Sequence, residues 1–193
     1  MREEVTALLE NRNELLTITY FKIQELFDKK YGENALVLME IGTFFEVYEV
    51  NNEKEKIGKA KEIAELLNIQ LTRKNKSILE NSKENPIMAG VPAISFEKHL
   101  ARIIAEQKYT IAIIKQKGTP PNVSRYLDVV VSPGTNFDFV VEQDDNFITS
   151  IVIDQIRGNY LIGYSAIDVT TAKCYYNEVF GTNEDKFFAL DEV

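Results

Sequence analysis

An aromatic ring and a carboxylate stand two residues apart in the segment MEIGTFFEVYEV, residues 39 to 50, shortly after a glycine. Side chains two apart on a strand share one face of a sheet, so Phe44 would lie beside Glu46 while Phe45 and Val47 face the other way. Two interpretations fit this spacing. Either Phe44 is a core residue and Glu46 its solvated neighbour, or a stacking ring and a hydrogen-bond acceptor together probe an unstacked nucleic-acid base.

The composition is that of a folded globular protein of one or two domains. The chain has 193 residues, of which 45% are hydrophobic and 27% are charged. The net charge of −8 argues against strong binding of nucleic acid by this chain alone, because basic residues at phosphates supply most of such affinity. A single cysteine and a single histidine exclude an internal disulfide and argue against a zinc site or a histidine-based triad.

The termini and the apolar runs give no sign of a membrane or of export. No apolar run approaches the roughly 20 residues that a membrane helix needs, and the acidic N-terminal segment lacks a secretory apolar core. We therefore expect a cytoplasmic chain, with no membrane contact, no catalytic residue and no metal or cofactor of its own.

The first part of the chain alternates helices with strands, which predicts an α/β domain with a mixed sheet covered by helices. Gly42 interrupts an apolar run and predicts a bulge or a tight bend before FFEVYEV. Apolar periodicity predicts helices over 3–30 and 54–67 and a third after Ser95 as N-cap, with strands at 35–41, 69–73, 109–115 and 126–131. The segment 74–85 is predicted as an exposed loop and 86–92 as a tight apolar connector.

A different pattern begins near residue 136. Three strand-like runs, FITSIVID, NYLIGYSAID and KCYYNEVF, are separated by short turns and predict an antiparallel meander. The acidic stretch 140–146 is the predicted linker. Only thirteen residues follow Phe180, too few for the helices that would cover such a sheet, so we expect a truncated second domain and a fragment of a longer protein.

Several segments resemble, in order and spacing, the N-terminal part of the MutS family of DNA mismatch repair proteins. GTFFEVYE is similar to the G-D-F-Y-E segment of that family, and it is followed by LNIQLTRK, PIMAGVP, YTIAIIKQ and VVVSPGT. AIDVTTAKC resembles the opening of the family's connector domain. The resemblance implies a mismatch-recognition domain over residues 1–133 and the start of a ribonuclease-H-like connector domain over 136–193.

The resemblance also assigns roles to the two residues of the motif. Phe44 aligns with the phenylalanine that wedges into the minor groove and stacks on a mispaired base, and Glu46 with the glutamate that hydrogen-bonds to that base. A mispair stacks and pairs poorly, so opening it costs less than opening a matched pair. Mispaired or unpaired bases in duplex DNA are therefore the expected ligand, and initiation of mismatch repair the expected function.

The same resemblance implies a longer parent protein. Such a parent is expected to be dimeric, to be a DNA-dependent ATPase using ATP and Mg, and to work with a MutL-like repair partner. The phosphate-binding pattern GxxxxGK[ST] does not occur in this sequence, so the ATPase is not expected in this chain.

Basic residues near the end of the 69–73 strand are candidate contacts to the DNA backbone. These are Arg73, Lys74 and Lys76, although a single lysine on a surface is more often simply solvated. The sequence departs from the family pattern around the motif, where arginine, aspartate, tyrosine, histidine and glutamate are replaced by Glu40, Thr43, Ala93, Ile94 and Lys115 respectively.

Two other functions remain open from the sequence. A divergent MutS-like chain could have lost base recognition and serve as a docking module for repair proteins. An inward Phe44 with Glu46 paired to a lysine would favour docking, and an exposed Phe44 would favour base recognition. A metal-dependent nuclease would instead need a carboxylate cluster around Asp154 and Asp168.

Overall fold

A computed structural model describes residues 1–119, 121–132, 147–168 and 171–181 of the chain. It separates into two compact units, Met1–Pro133 and Gly134–Val193. The predicted linker at 140–146 and most of the segment after Phe180 lie outside the described residues. Among the described helices, none is long and apolar enough to cross a membrane.

The first unit is built on a mixed seven-stranded sheet, as the alternating pattern predicted. Its strands are β1 Ala35–Ile41, β2 Phe44–Asn51, β3 Lys56–Gly58, β4 Thr72–Arg73, β5 Ile87–Pro92, β6 Thr110–Lys117 and β7 Ser124–Val131. Their order is β4-β5-β2-β1-β6-β7, with β3 paired to β2 beside this path. The pair β1–β6 is parallel, and the other pairs are antiparallel.

Four helices cover the two faces of this sheet: α1 Arg2–Glu10, α2 Leu16–Tyr31, α3 Ala60–Leu67 and α4 Phe96–Ala105. On one face, Tyr20 and Phe27 of α2 share a buried cluster with Val37 and with Tyr48. On the other, α3 packs on β2 and β5, and α4 packs on β5. Because side chains alternate along β2, its even-numbered residues face α2 and its odd-numbered residues face α3 and α4.

The helix predicted over residues 3–30 is two helices, and the single-helix prediction was wrong. The break falls at Asn11 to Leu15, where the backbone amide of Asn13 donates to Oδ1 of Asn11 at 3.3 Å. Asparagine competes with helical bonding in this way because its side chain satisfies nearby backbone groups. Leu15 then enters α2 from an extended conformation (φ −62°, ψ 135°).

Three further segments differ from the sequence prediction, and in the first two pairing with β2 decides the structure. The predicted helix over 54–67 begins only at Ala60, since Lys56–Gly58 forms β3, with Gly58 at φ +85°. The predicted connector 86–92 is strand β5, which pairs with β2 along its whole length. The predicted strand over 69–73 is reduced to two residues.

The second unit contains the predicted antiparallel meander. Its strands are β8 Phe147–Ile156, β9 Asn159–Asp168 and β10 Cys174–Gly181, in the order β10-β9-β8. Consecutive residues Ile151, Val152 and Ile153 of β8 are exposed, so this strand shows apolar side chains on both of its faces.

Candidate nucleic-acid interface

The β1–β2 hairpin places an aromatic ring at its end. Ile41 pairs with Phe44, so the chain reverses through Gly42 and Thr43 alone. Gly42 has φ +62°, and a glycine with positive φ at the first central position is typical of type II′ hairpin turns. The predicted tight bend is thus confirmed as a two-residue turn. Phe44 is 44% exposed, so it is not a core residue.

The opposite face of β2 fixes this hairpin to the core. Phe45 and Val47 are both buried, as the two-residue period predicted. The Phe45 ring stacks on Phe96 at the start of α4, with centroids 3.6 Å apart and an interplanar angle of 16°. The exposed ring of Phe44 therefore stands on a strand whose neighbouring residue is locked in place.

A second connection holds the turn from the side of β5. Phe44 pairs with Pro92, and the backbone amide of Ala93 donates to the Thr43 carbonyl at 2.8 Å. An open concavity of about 460 Å³, here called the tip concavity, lies between the two segments. It is lined by Glu40, Gly42, Thr43, Phe44, Pro92, Ala93 and Ile94. Four of the five departures from the family pattern therefore surround Phe44.

Gln116 of β6 bonds to both backbone groups of the turn glycine. Its Nε2 donates to the Gly42 carbonyl at 2.6 Å, and its Oε1 accepts from the Gly42 amide at 3.1 Å. The backbone N–H of Gln116 also donates to Oε2 of Glu40 at 2.9 Å. No local sequence pattern links Gln116 to the turn, since it is 74 residues from Gly42 and only the sheet brings them together.

The Glu46 carboxylate is held by two neighbours. The Tyr48 hydroxyl donates to Oε2 of Glu46, and Nζ of Lys74 lies 4.0 Å from the same oxygen. Lys74 Nζ also donates to the Tyr48 hydroxyl at 3.3 Å. Glu46 is 13% exposed. An exposed Phe44 favours base recognition, whereas pairing of Glu46 with a lysine is one of the two features that favour docking. The structure shows both the exposed ring and the lysine pairing.

Tyr48 connects this acid to the core. Its ring is fully buried and meets Tyr20 edge to face, with centroids 4.8 Å apart, while the Tyr20 hydroxyl donates to the Val37 carbonyl at 2.9 Å. Burial, followed by the negative charge of Glu46, raises the pKa of Tyr48 far above its ordinary value. The phenol therefore stays protonated and keeps donating to the carboxylate.

Arg125 of β7 brings a positive charge to the same corner of the sheet. Its Nε donates to the Glu40 carbonyl at 3.2 Å. Burial lowers the pKa of Arg125, while the negative charges of Glu40 and Glu46 oppose that shift. Where the family pattern has arginine at the position of Glu40, this chain therefore has a cation nearby on another strand. No local sequence signal marks Arg125.

Gly90 of β5 lies directly opposite Glu46. A Cβ at this position would be 3.2 Å from the Phe45 carbonyl oxygen and 3.3 Å from Cγ of Glu46. The glycine in PIMAGVP therefore leaves room for the acidic side chain to lie across β5, which explains this residue type in structural terms.

The candidate phosphate contacts have different surroundings. Nη1 of Arg73 donates to the carbonyls of Ile78 and Leu79, so its guanidinium holds the 74–85 loop. Lys74 lies beside Glu46, and Lys76 is exposed on the loop. Lys115, the fifth departure from the family pattern, pairs with Asp128 at 2.7 Å. Contact of Arg73, Lys74 or Lys76 with phosphate stays a prediction.

The two aspartates of the nuclease hypothesis lie at opposite ends of the meander. Asp154 pairs across with Leu161, seven residues before Asp168 on β9, which corresponds to about 23 Å along the strand. Asp168 is buried and accepts from the Thr171 hydroxyl at 2.6 Å. Within the described ranges, no group of three His, Cys, Asp or Glu residues could hold a metal ion. These two carboxylates cannot share a metal.

Comparison with known proteins agrees with the geometry of the first unit. A family model described as MutS domain I matches residues 20–140. The chain belongs to the MutS family. It is 30% identical over 191 residues, 95% of this chain, to a putative DNA mismatch repair protein MutS homolog of Acanthamoeba polyphaga mimivirus, of which it covers 17%. The predicted family and the mixed α/β fold are thereby confirmed.

Bacterial relatives give the same result. The chain is 28% identical to the DNA mismatch repair protein MutS of Fusobacterium nucleatum over 85% of its own length, and 30% identical to that of Streptococcus thermophilus over 87%. It covers 17% and 18% of those two proteins. The chain thus spans about one sixth of the length of the curated relatives that it matches.

Proposed function

We propose that this chain is the part of a longer MutS-like protein that recognises mispaired or unpaired bases in duplex DNA. Phe44 inserts from the minor groove and stacks on the base, and Glu46 accepts a hydrogen bond from it. The observation that carries the proposal is an exposed ring at the end of a hairpin held on three sides, by Phe96, Ala93 and Gln116.

The energetic basis is the cost of opening the duplex. An inserted apolar ring unstacks a base step and kinks the DNA, which costs a few kcal/mol and least where stacking is already weak. A rigid ring suits this task, because little further conformational entropy is lost when it inserts. The exposed Phe44 on a fixed hairpin meets this requirement.

The arrangement around Glu46 supports a role as hydrogen-bond acceptor. Tyr48 and Lys74 both approach Oε2, so we propose that Oε1 receives the donor of the displaced base. Lys74 offsets the negative charge, which otherwise would be repelled by nearby phosphates. In matched duplex no displaced base offers a donor to Oε1, so the carboxylate gains no hydrogen bond from the DNA and matched duplex is penalised.

The rest of the proposal concerns the longer protein. The names and lengths of the relatives support a parent that initiates mismatch repair, with residues 1–133 as mismatch-recognition domain and 136–193 as the start of a connector domain. We propose that this parent is a cytoplasmic, dimeric ATPase that uses ATP and Mg outside this chain and works with a MutL-like partner. We also propose Arg73 and Lys76 as contacts to the DNA backbone.

The test is Phe44→Ala in the full-length protein, with competition binding of a G·T duplex against the matched duplex. Loss of one stacking contact is worth about 1–3 kcal/mol, so the preference for the mispair should fall by a factor of about 5 to 150. Tyr126→Ala, which truncates a similarly exposed ring on β7, is the matched control and should keep the preference.

Full retention of the preference by Phe44→Ala would refute the wedge. The pairing of Glu46 with Lys74 would then favour the docking module, in which the hairpin contacts a repair protein rather than a base. The isolated 193-residue chain, with its net charge of −8, should bind matched duplex weakly at physiological salt, because the phosphate contacts that carry affinity are few.

A further inference from the structure

Ile94 is an almost fully exposed aliphatic side chain beside the proposed wedge. It is 99% exposed and lies in the short 3₁₀ helix Ala93–Ser95, two residues after Pro92. Pro92 pairs directly with Phe44, and Ile94 and Phe44 both line the tip concavity. Two exposed apolar side chains from different segments therefore line one concavity at this end of the sheet.

The position of Ile94 is fixed by its backbone neighbours. The Ala93 amide bonds to the Thr43 carbonyl at 2.8 Å, and the Ser95 hydroxyl donates to the Pro92 carbonyl at 3.2 Å. Phe96, two residues further on, is stacked under Phe45. The exposure of Ile94 is thus a property of an anchored turn, and its backbone needs little ordering when a ligand arrives.

We propose that Ile94 is a second apolar contact to the DNA, one that packs against the base and sugar edges of the step opened by Phe44. This inference rests on the proposed function of Phe44 as the wedge. Isoleucine is among the side chains that serve as apolar wedges in the minor groove. Glu40, which lines the tip concavity, disfavours a phosphate there, so the ligand surface that fits is the uncharged interior of a widened groove.

The expected loss of DNA binding follows from the exposure of the Ile94 side chain in the unbound protein. Truncating Ile94 to alanine removes three carbon atoms that already lie in water, so the folded chain loses no packing. If the groove covers about half of those atoms, binding to a mispaired duplex weakens about five- to tenfold. Matched duplex, which is not opened, gives no such surface and should be bound equally well by both forms.

The experiment uses the full-length protein and four variants. Ile94→Ala is compared with Ile94→Leu, which keeps the apolar volume, and with Phe44→Ala. Leu79→Ala is the control, because Leu79 is 88% exposed in the 74–85 loop, beyond the end of β5 that is farthest from Pro92. Each is titrated against matched duplex, a G·T duplex and a duplex with one inserted nucleotide.

The inference predicts a selective result. Ile94→Ala weakens both distorted duplexes about five- to tenfold and leaves the matched duplex unchanged, while Ile94→Leu and Leu79→Ala behave like the natural protein. Unchanged binding by Ile94→Ala while Phe44→Ala loses its preference would overturn the role of Ile94 and leave the wedge intact. Equal weakening of all three duplexes would also overturn it, since the contact would then be non-specific. If Phe44→Ala keeps its preference, the proposed function itself fails.

Discussion

Replacing Gln116 with methionine tests whether order at the hairpin end is needed for recognition. Methionine keeps the length of the side chain but removes both bonds to Gly42, at 2.6 and 3.1 Å. A net hydrogen bond is worth about 0.5–1.5 kcal/mol, and these two are exposed to solvent, so we take about 1–2 kcal/mol for the pair. That corresponds to about a five- to thirtyfold fall in the equilibrium constant between the ordered and the open turn.

Two measurements on the Gln116→Met variant monitor the loss of these hydrogen bonds. Amide hydrogen exchange at Gly42 should accelerate by at least about that factor, because its amide loses the Oε1 acceptor and the turn opens more often. The preference of the full-length protein for a G·T duplex should fall by up to the same factor, since the proposed wedge requires an ordered turn to place Phe44 in the groove. Gln70→Met, at an exposed position between α3 and β4, is the matched control and should change neither quantity.

The two readouts separate the ways in which this reasoning can fail. Unchanged exchange at Gly42 would show that the β1–β2 pairing alone orders the turn. Faster exchange with an unaltered preference for the mispair would show that recognition does not depend on a fixed ring, and would remove a main support for the proposed wedge.

Two further predictions concern the surroundings of Glu46. The first variant is Lys74→Met, measured by the slope of the logarithm of the DNA-binding constant against the logarithm of the salt concentration. If Lys74 is the counterion of Glu46, which lies 4.0 Å away, the slope should stay unchanged. Loss of a phosphate contact would instead reduce the slope by about 0.9. Tyr48→Phe should alter alkaline stability, measured by thermal unfolding across a pH series. Because burial and Glu46 raise the pKa of Tyr48, its phenol ionises in the unfolded chain above about pH 10 but not in the folded one, so stability falls as pH rises. The stability of the phenylalanine variant should fall less steeply with pH. If both proteins lose stability with the same dependence on pH, the raised pKa of Tyr48 would be contradicted.

The local geometry of the motif could be predicted from sequence because it depends on neighbours along one strand. The two-residue period placed Phe44 and Glu46 on one face and Phe45 on the other, and Gly42 marked the bend. The exposure of Phe44 could not be predicted, since the same pattern fits a strand covered by a helix at that end.

The partners of the motif could not be predicted because they come from distant segments. Lys74 was a candidate phosphate contact because of its charge and its place at the end of the predicted strand, and only the pairing of β2, β5 and β4 brings it to Glu46. Gln116 and Arg125 gave no local signal. The segment 86–92 was misassigned for the same reason, since its strand pairing with β2 is decided by tertiary structure.

The hydrogen bonds between Gln116 and Gly42 join residues that are 74 positions apart, so the turn depends on a distant part of the chain. A short peptide copying the β1–β2 turn would carry the ring and the acid without the sheet that aims them. Under the proposed function, an inherited change that loosens β6 should produce a mutator phenotype, because it would disturb the turn that carries Phe44. Transfer of the proposed recognition site to another protein scaffold would therefore require the strands of the whole sheet, not the turn alone.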